Sequence, residues 1–183
     1  IFDGETVPYS PNPDNLFEYY RTGQTWTNSL AFSGGTARAS FRASFSNSDA
    51  EGIDPFNEYK KNIVNLGVNH DVTEKLNFSI NINYTNEKYI NPPRVGTQGE
   101  GAVNFFTRIS NSIPFWNLKN HATNPATGTE AQTSGFQGTV LNPYYEYQDA
   151  GARYETIRDR FLGTATARFN MTEWLYAQGR INY

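Results

Sequence analysis

The chain contains no cysteine. Disulfides, thiolate metal sites and cysteine nucleophiles are therefore excluded, and the compartment is left open, although an oxidising envelope fits. It also lacks any run of about 18 apolar residues, so no helix in it can span a bilayer. Charge is scarce as well: charged residues make up 18% of 183 residues, and the net charge is -3. With a pI near 5.4, a partner held by phosphate neutralisation is excluded, and no nucleic acid is expected. Leu, Ile and Val together number only 25. That poverty normally accompanies disorder, but disorder also brings few aromatics and a high net charge, whereas aromatics here reach 15%.

What is present is polar, uncharged and aromatic. Asn is the commonest residue, at 21, alongside 13 Phe and 12 Tyr. Such a composition suits strands better than helices, and the length suits one domain of ordinary size. The chain opens on Ile1 without a signal peptide and stops at Tyr183 inside an alternating pattern, so it is expected to be a piece of a longer protein.

Residues 1–24 read as a lead-in segment with a short helix. Asn12 can cap the run Leu16-Phe17-Glu18-Tyr19-Tyr20-Arg21, Pro13 suits the first helical position, and Gly23 can end it. Beyond it the period changes to two. Trp26, Leu30 and Phe32 share one face, Gly34-Gly35 signals a hairpin turn, and Ala37, Ala39, Phe41, Ala43 and Phe45 return opposite Arg38, Ser40 and Arg42. A polar loop from about Asp49 to Tyr59 precedes Val64, Leu66 and Val68, which alternate with Asn65, Gly67 and Asn69. After a turn at Thr73-Glu74-Lys75 the clearest strand sets Leu76, Phe78, Ile80, Ile82 and Tyr84 against Asn77, Ser79, Asn81 and Asn83. A long loop from about 89 to 155 follows, and loops of that length are usually functional. The last pair alternates Phe161 to Phe169 against Arg160 to Arg168, turns near Thr172, and returns from Leu175 to Tyr183. Val72-Thr73-Glu74-Lys75-Leu76 and Met171-Thr172-Glu173-Trp174-Leu175 form a weak internal repeat.

One apolar and one polar face fit either a soluble sandwich or a wet-lumen barrel. Three features favour the barrel. The alternating segments run about 9 to 13 residues, against about 5 or 6 in soluble strands. Ten residues tilted by about 45° span roughly 23 Å, near the apolar band of an outer-membrane barrel. Short turns alternate with long loops, and Trp26, Tyr84 and Trp174 sit near strand ends, where aromatic girdles form. The expected fold is all-β: an antiparallel up-and-down transmembrane β-barrel segment of about six strands, covering 25–183, with long extracellular loops. Phe41, Phe45, Val64, Leu66, Val68, Phe78, Ile80 and Ile82 would face lipid, and Arg38, Arg42, Arg160 and Arg168 the lumen. The alternative is a soluble, secreted carbohydrate-binding β-sandwich, in which the same apolar side chains would be buried between two sheets.

Particular residues carry a family resemblance. Leu16 to Gly23, Thr27 to Gly35, Ser44-Phe45-Ser46-Asn47-Ser48-Asp49-Ala50-Glu51-Gly52-Ile53, Lys61-Asn62, Thr73 to Leu76, Asn83 to Lys88, Arg158-Asp159-Arg160-Phe161 and Thr172-Glu173-Trp174-Leu175 together resemble the early barrel of SusC/RagA-type TonB-dependent transporters. The motifs occur in the right order over nearly the whole chain. A porin or siderophore receptor fits them less well. The resemblance implies a Bacteroidetes outer-membrane protein with a 22-stranded barrel and an N-terminal plug, with whose acidic residues Arg38, Arg42, Arg160 and Arg168 either pair or, failing that, stand solvated in the lumen. It implies import of glycans or peptides, partnership with a SusD-like surface lipoprotein, and coupling to the TonB complex through N-terminal parts that this sequence does not include. Six strands alone would leave two open edges, which lipid does not tolerate.

Ligand or lipoprotein contacts are expected on the long loop, at Phe115, Trp116, Tyr144, Tyr145 and Tyr147. Aromatic rings there can stack on sugars or peptide side chains, or pack the loop against its own barrel. His70 and His121 are too far apart in sequence to suggest a metal site, and Gly96 to Gly101 does not join a strand to a helix as a phosphate loop would. No catalytic constellation stands out. No enzyme activity, cofactor or metal is expected.

Overall fold

The computed structural model describes residues 10–92, 119, 126, 143–146 and 154–183. The elements run α1 (Asn15–Tyr19), β1 (Gln24–Gly35), β2 (Ala39–Glu51), β3 (Glu58–Asp71), β4 (Leu76–Ile90), α2 (Pro143–Glu146), β5 (Glu155–Asn170) and β6 (Tyr176–Asn182). The six strands form one antiparallel up-and-down sheet in the order β1-β2-β3-β4-β5-β6. Among the described residues the sheet is open, with β1 and β6 at its edges.

The strands are longer than the apolar alternation implies. β2 continues through Asp49 to Glu51, β3 begins at Glu58, and β4 runs to Ile90. The loop expected over 49–59 shrinks to residues 52–57. Cross-strand ion pairs sustain the polar extensions. Lys60 Nζ lies 3.6 Å from Asp49 Oδ2 and Lys61 Nζ 3.4 Å from Glu87 Oε1. Opposite charges facing across a ladder favour pairing as apolar neighbours do.

Three short turns share one device. Thr36 Oγ1 accepts from the N–H of Arg38 and Ala39, Thr73 Oγ1 from Lys75 and Leu76, and Thr172 Oγ1 from Leu175, all at 3.0 to 3.3 Å. A hydroxyl bonding amides two and three residues on replaces backbone partners that the reversal removes. The first turn is therefore Thr36-Ala37-Arg38, one step beyond the Gly34-Gly35 pair, which instead closes β1. Gly35 is needed there because a Cβ would come within 2.6 Å of the Ala39 carbonyl oxygen. Arg38, expected on the return strand, sits in this turn, and its carbonyl accepts from Asp71 N–H at 2.7 Å.

The chain divides into two compact units. One holds 25–50, 59–88 and 156–183, which is most of the sheet; the other holds 1–24, 51–58 and 89–155. Within the second, α1 is shorter than expected. Its N-cap is Asp14, without a side-chain bond, while Asn12 bonds the Ser10 carbonyl. It ends at an extended Tyr20, before Gly23, because Arg21 N–H is taken by the Ile53 carbonyl at 2.8 Å.

Candidate functional site

Side-chain bonds fix which residues share each face of the sheet. Thr27 meets Ser48 at 3.0 Å, Ser29 meets Ser46 at 2.8 Å, Asn65 donates to Ser44 at 3.3 Å and Asn83 to Asn65 at 2.6 Å. Thr164 donates to Asn182 at 3.0 Å on the same side, and Asn77 to Asp71 at 2.7 Å. These are rows of hydroxyls and carboxamides joined across neighbouring strands. An open trough of about 910 Å³ lies over part of this sheet, from β2 to β5, lined by polar residues such as Arg42, Asn65 and Asn81 and by apolar ones such as Leu66, Val68 and Leu162.

At one end of this face the charges converge. Glu87, only 6% exposed, accepts from Tyr59 Oη at 2.9 Å and pairs with Lys61 at 3.4 Å and Arg158 at 3.7 Å. At the other end the Arg168 guanidinium lies 4.0 Å from the Tyr176 ring centroid and donates to Asn170 at 3.0 Å. A cation over an aromatic face is held without a counter-charge. Of the expected lumen residues, Arg42, Arg160 and Arg168 lie on this face and are exposed.

The opposite face is apolar and uncovered. Phe41, Phe45, Val64, Leu66, Phe78 and Ile80 are exposed, Phe78 at 44%, and Val68 and Ile82 are half-exposed. A polar row interrupts the apolar surface at one level, beyond which Trp26 and Ile157 are again exposed beside Asp49 and Lys60. Asn47 donates to Asn62 at 2.9 Å and Asn86 to Asp159 at 2.8 Å. The pairs Thr27–Ser48 and Ser29–Ser46 set Asn28 opposite Asn47, and Lys61–Glu87 sets Asn62 opposite Asn86. Asn28, Asn47, Asn62, Asn86 and Asp159 thus make one polar row across five strands. Tyr84 lies just inside it and donates to Asp159 at 2.7 Å, its ring on the apolar side. Trp174 stands at the far end in the β5–β6 turn, 82% exposed.

The second unit contains what sequence reasoning missed. Asn91 takes a positive φ of 45°, a conformation Asn tolerates better than most residues, and it is buried. Its N–H reaches the Tyr154 carbonyl at 2.7 Å, its Oδ1 accepts from Tyr154 N–H at 2.9 Å, and its Nδ2 donates to the Phe56 carbonyl at 3.2 Å. Asn57 Nδ2 donates to the Asn91 carbonyl at 2.9 Å, and Arg21 donates to the carbonyls of Gly52 and Asn57 at 3.1 and 3.3 Å. The Asn91-Pro92 pair is a turn signal by which Asn91 could be found; nothing in the pattern distinguishes Asn57.

Tyr144, expected at a ligand, is 8% exposed. Its ring meets Tyr19 edge-on at 5.4 Å and Phe56 at 5.8 Å. Burial raises its phenol, and the Asp54 charge raises it further. Burial also pushes the Asp54 carboxyl above its usual range, against hydrogen bonds from Phe56 N–H and Tyr19 and the nearby Arg21 charge, which pull it down. Tyr145 lies in α2. Phe115, Trp116 and Tyr147 lie outside the described residues, as does His121.

Among the described residues no three His, Cys, Asp or Glu side chains group as a metal site. No described helix is long and apolar enough to cross a membrane, which leaves crossing by strands untouched. No family model matches the chain, and no curated protein matches it.

Proposed function

We propose that the chain is part of the wall of a transmembrane β-barrel in a bacterial outer membrane. In this reading it belongs to a TonB-dependent, SusC/RagA-type importer of glycans or peptides that works with a SusD-like lipoprotein. Its role is transport, and no catalytic step is assigned to it. The observation that carries the reading is the outer face: an uncovered apolar band bordered by an Asn/Asp row that holds two cross-strand hydrogen bonds, with Trp26 and Ile157 exposed just beyond it. Along β5 the band runs from Phe161 to Phe169, about 27 Å along the strand and about 20 Å once tilted by about 45°, close to the roughly 25 Å apolar belt of such barrels. A wet lumen gives the opposite face its hydroxyls, carboxamides and guanidinium groups without a burial penalty. The order of motifs from Leu16 to Leu175 supports the family assignment.

The absence of native cysteine in this stretch makes the test direct. In the full-length protein in cells, Ile80→Cys and Ser79→Cys report the two faces. With a nitroxide attached at each, the expected result is that the first is relaxed chiefly by oxygen, which concentrates in the bilayer, and the second chiefly by a water-soluble nickel chelate. If the position at 80 is shielded from both, the apolar face is packed against protein, and the soluble carbohydrate-binding sandwich replaces the transporter.

A further inference from the structure

The polar face carries a net positive charge. Its strand positions hold Arg42, Lys61, Arg158, Arg160, Arg168 and Arg180 against two carboxylates, Asp71 and Glu87. The whole chain carries -3, so the fold has gathered cations here. Glu87 is shared by Lys61 and Arg158, and Asp71 accepts from Asn77. Arg42, Arg160 and Arg180 make no ion pair among the described residues.

The cations form two groups. Lys61, Arg158 and Arg160 lie toward the long connections; Arg42, Arg168 and Arg180 lie toward the short turns. Arg160 is four residues from Thr164, which lines the same trough as Arg42, so the groups stand about 13 Å apart along the strands. Between them lie Ser44, Asn65 and Asn83. A charged face with low-dielectric walls focuses its field and concentrates ions of opposite sign, and rings of Arg and Lys select anions in pores.

We propose that this face binds an anionic oligosaccharide, one bearing carboxylate or sulfate groups, and so sets the class of solute the wall passes; this rests on the transport reading above. The uncharged stretch favours a sugar over an acidic polypeptide. Its nonpolar side chains are Ala31, Ile63 and Leu162, whereas the core of a protein interface is largely apolar and rich in aromatics. Carboxamides and hydroxyls in rows offer both donors and acceptors to sugar hydroxyls, and the flanking guanidinium groups offer paired donors to carboxylate or sulfate.

The test uses the full-length protein in detergent and three fluorescent probes of matched length: dextran sulfate, unmodified dextran and poly-glutamate. Dextran sulfate should bind at least about tenfold more tightly than dextran at low salt, with the preference shrinking as salt rises. The double variant Arg42→Gln, Arg180→Gln should lose most of that preference; both side chains are exposed and unpaired, so folding is spared. Equal binding of the two dextrans, binding of neither, or an unchanged preference in the variant overturns the proposal. Poly-glutamate binding as tightly as dextran sulfate also overturns it and assigns the face to an acidic polypeptide. Nitroxide accessibility at Ile80→Cys in the same protein reconstituted into lipid vesicles separates the two failures: a lipid-facing position 80 with no anion preference leaves transport standing.

Discussion

The unit that holds most of the sheet and the unit that holds the lead-in and loop segments are stabilised in different ways. In the first, the only buried side chains are polar, Thr85 and Glu87. Its strands are held by the backbone ladder and by cross-strand polar bonds, while its largest apolar side chains remain exposed. Among its described residues the second has buried apolar side chains, Tyr19, Ile90, Tyr144 and Pro143, together with the buried amide of Asn91. A sheet with no covered face gains little from its own apolar residues, because hydrophobic stabilisation follows area removed from water. Its stability must come from whatever medium covers the apolar face. The second unit carries its stability with it.

The largest effect that separates the two is therefore medium-dependent. Ile80→Arg should cost about 2–4 kcal/mol in folding into lipid vesicles, as a cation near the middle of an apolar belt does. The neighbouring Asn81→Arg should cost little, since it points to the polar face. Urea titration of the full-length protein in vesicles measures both. Equal costs at 80 and 81 would break the comparison.

Asn91→Ala tests the second unit. It removes two side-chain hydrogen bonds at a buried site and places alanine at φ 45°. About 2–3 kcal/mol of local stability should be lost, from roughly 1 kcal/mol per bond and about 1 kcal/mol for left-handed backbone. Asn91→Gly should recover the backbone part alone. Amide exchange at residues 52–57 reads the loss, which should be the same in detergent and in lipid.

A smaller contrast lies within the sheet. Glu87→Gln weakens three contacts to a side chain 8% exposed, so about 1–3 kcal/mol should go. Asp49→Asn breaks a pair whose members are both about half exposed, and the loss should stay below about 1 kcal/mol. A double-mutant cycle of Glu87 with Lys61, compared with one of Asp49 with Lys60, isolates the two couplings.

The alternation from Leu76 to Tyr84 made its two faces legible because one physical rule, period two, governs every residue in it. The repeat of Thr73 and Thr172 was legible for the same reason: the same turn chemistry recurs. Thr36 does that job at the first turn, but the adjacent Gly34-Gly35 pair is the stronger local signal and hid it. The strand ends at Glu51 and Glu58, and the run of β4 past Glu87, were not legible, because they are set by which charges face each other across strands, and register is not written in one strand. The knot of Arg21, Asn57 and Asn91 left no periodic trace either. Those side chains bond backbone groups tens of residues away, and any polar loop residue looks equally suited to that from sequence alone.

The smallest expected effect is a pH dependence confined to the second unit. Burial raises the Asp54 carboxyl above the ordinary 3.8, so the folded form holds its proton more tightly than the unfolded chain. The stabilisation from this group is fully present below about the unfolded value and is lost as pH rises through the raised folded value. Local stability around residues 52–57 should therefore increase modestly on acidification through that window, the reverse of a salt-bridged carboxylate. Asp54→Asn should flatten the trend while keeping an acceptor for Tyr19 and Phe56 N–H. The sheet, whose buried carboxylate Glu87 sits among cations, should not gain stability on acidification. Exchange rates at 52–57 and along β3 and β4, corrected for intrinsic pH effects, compare the two directly. Parallel pH trends in the two units would mean that the protonation of Asp54 is not what distinguishes them.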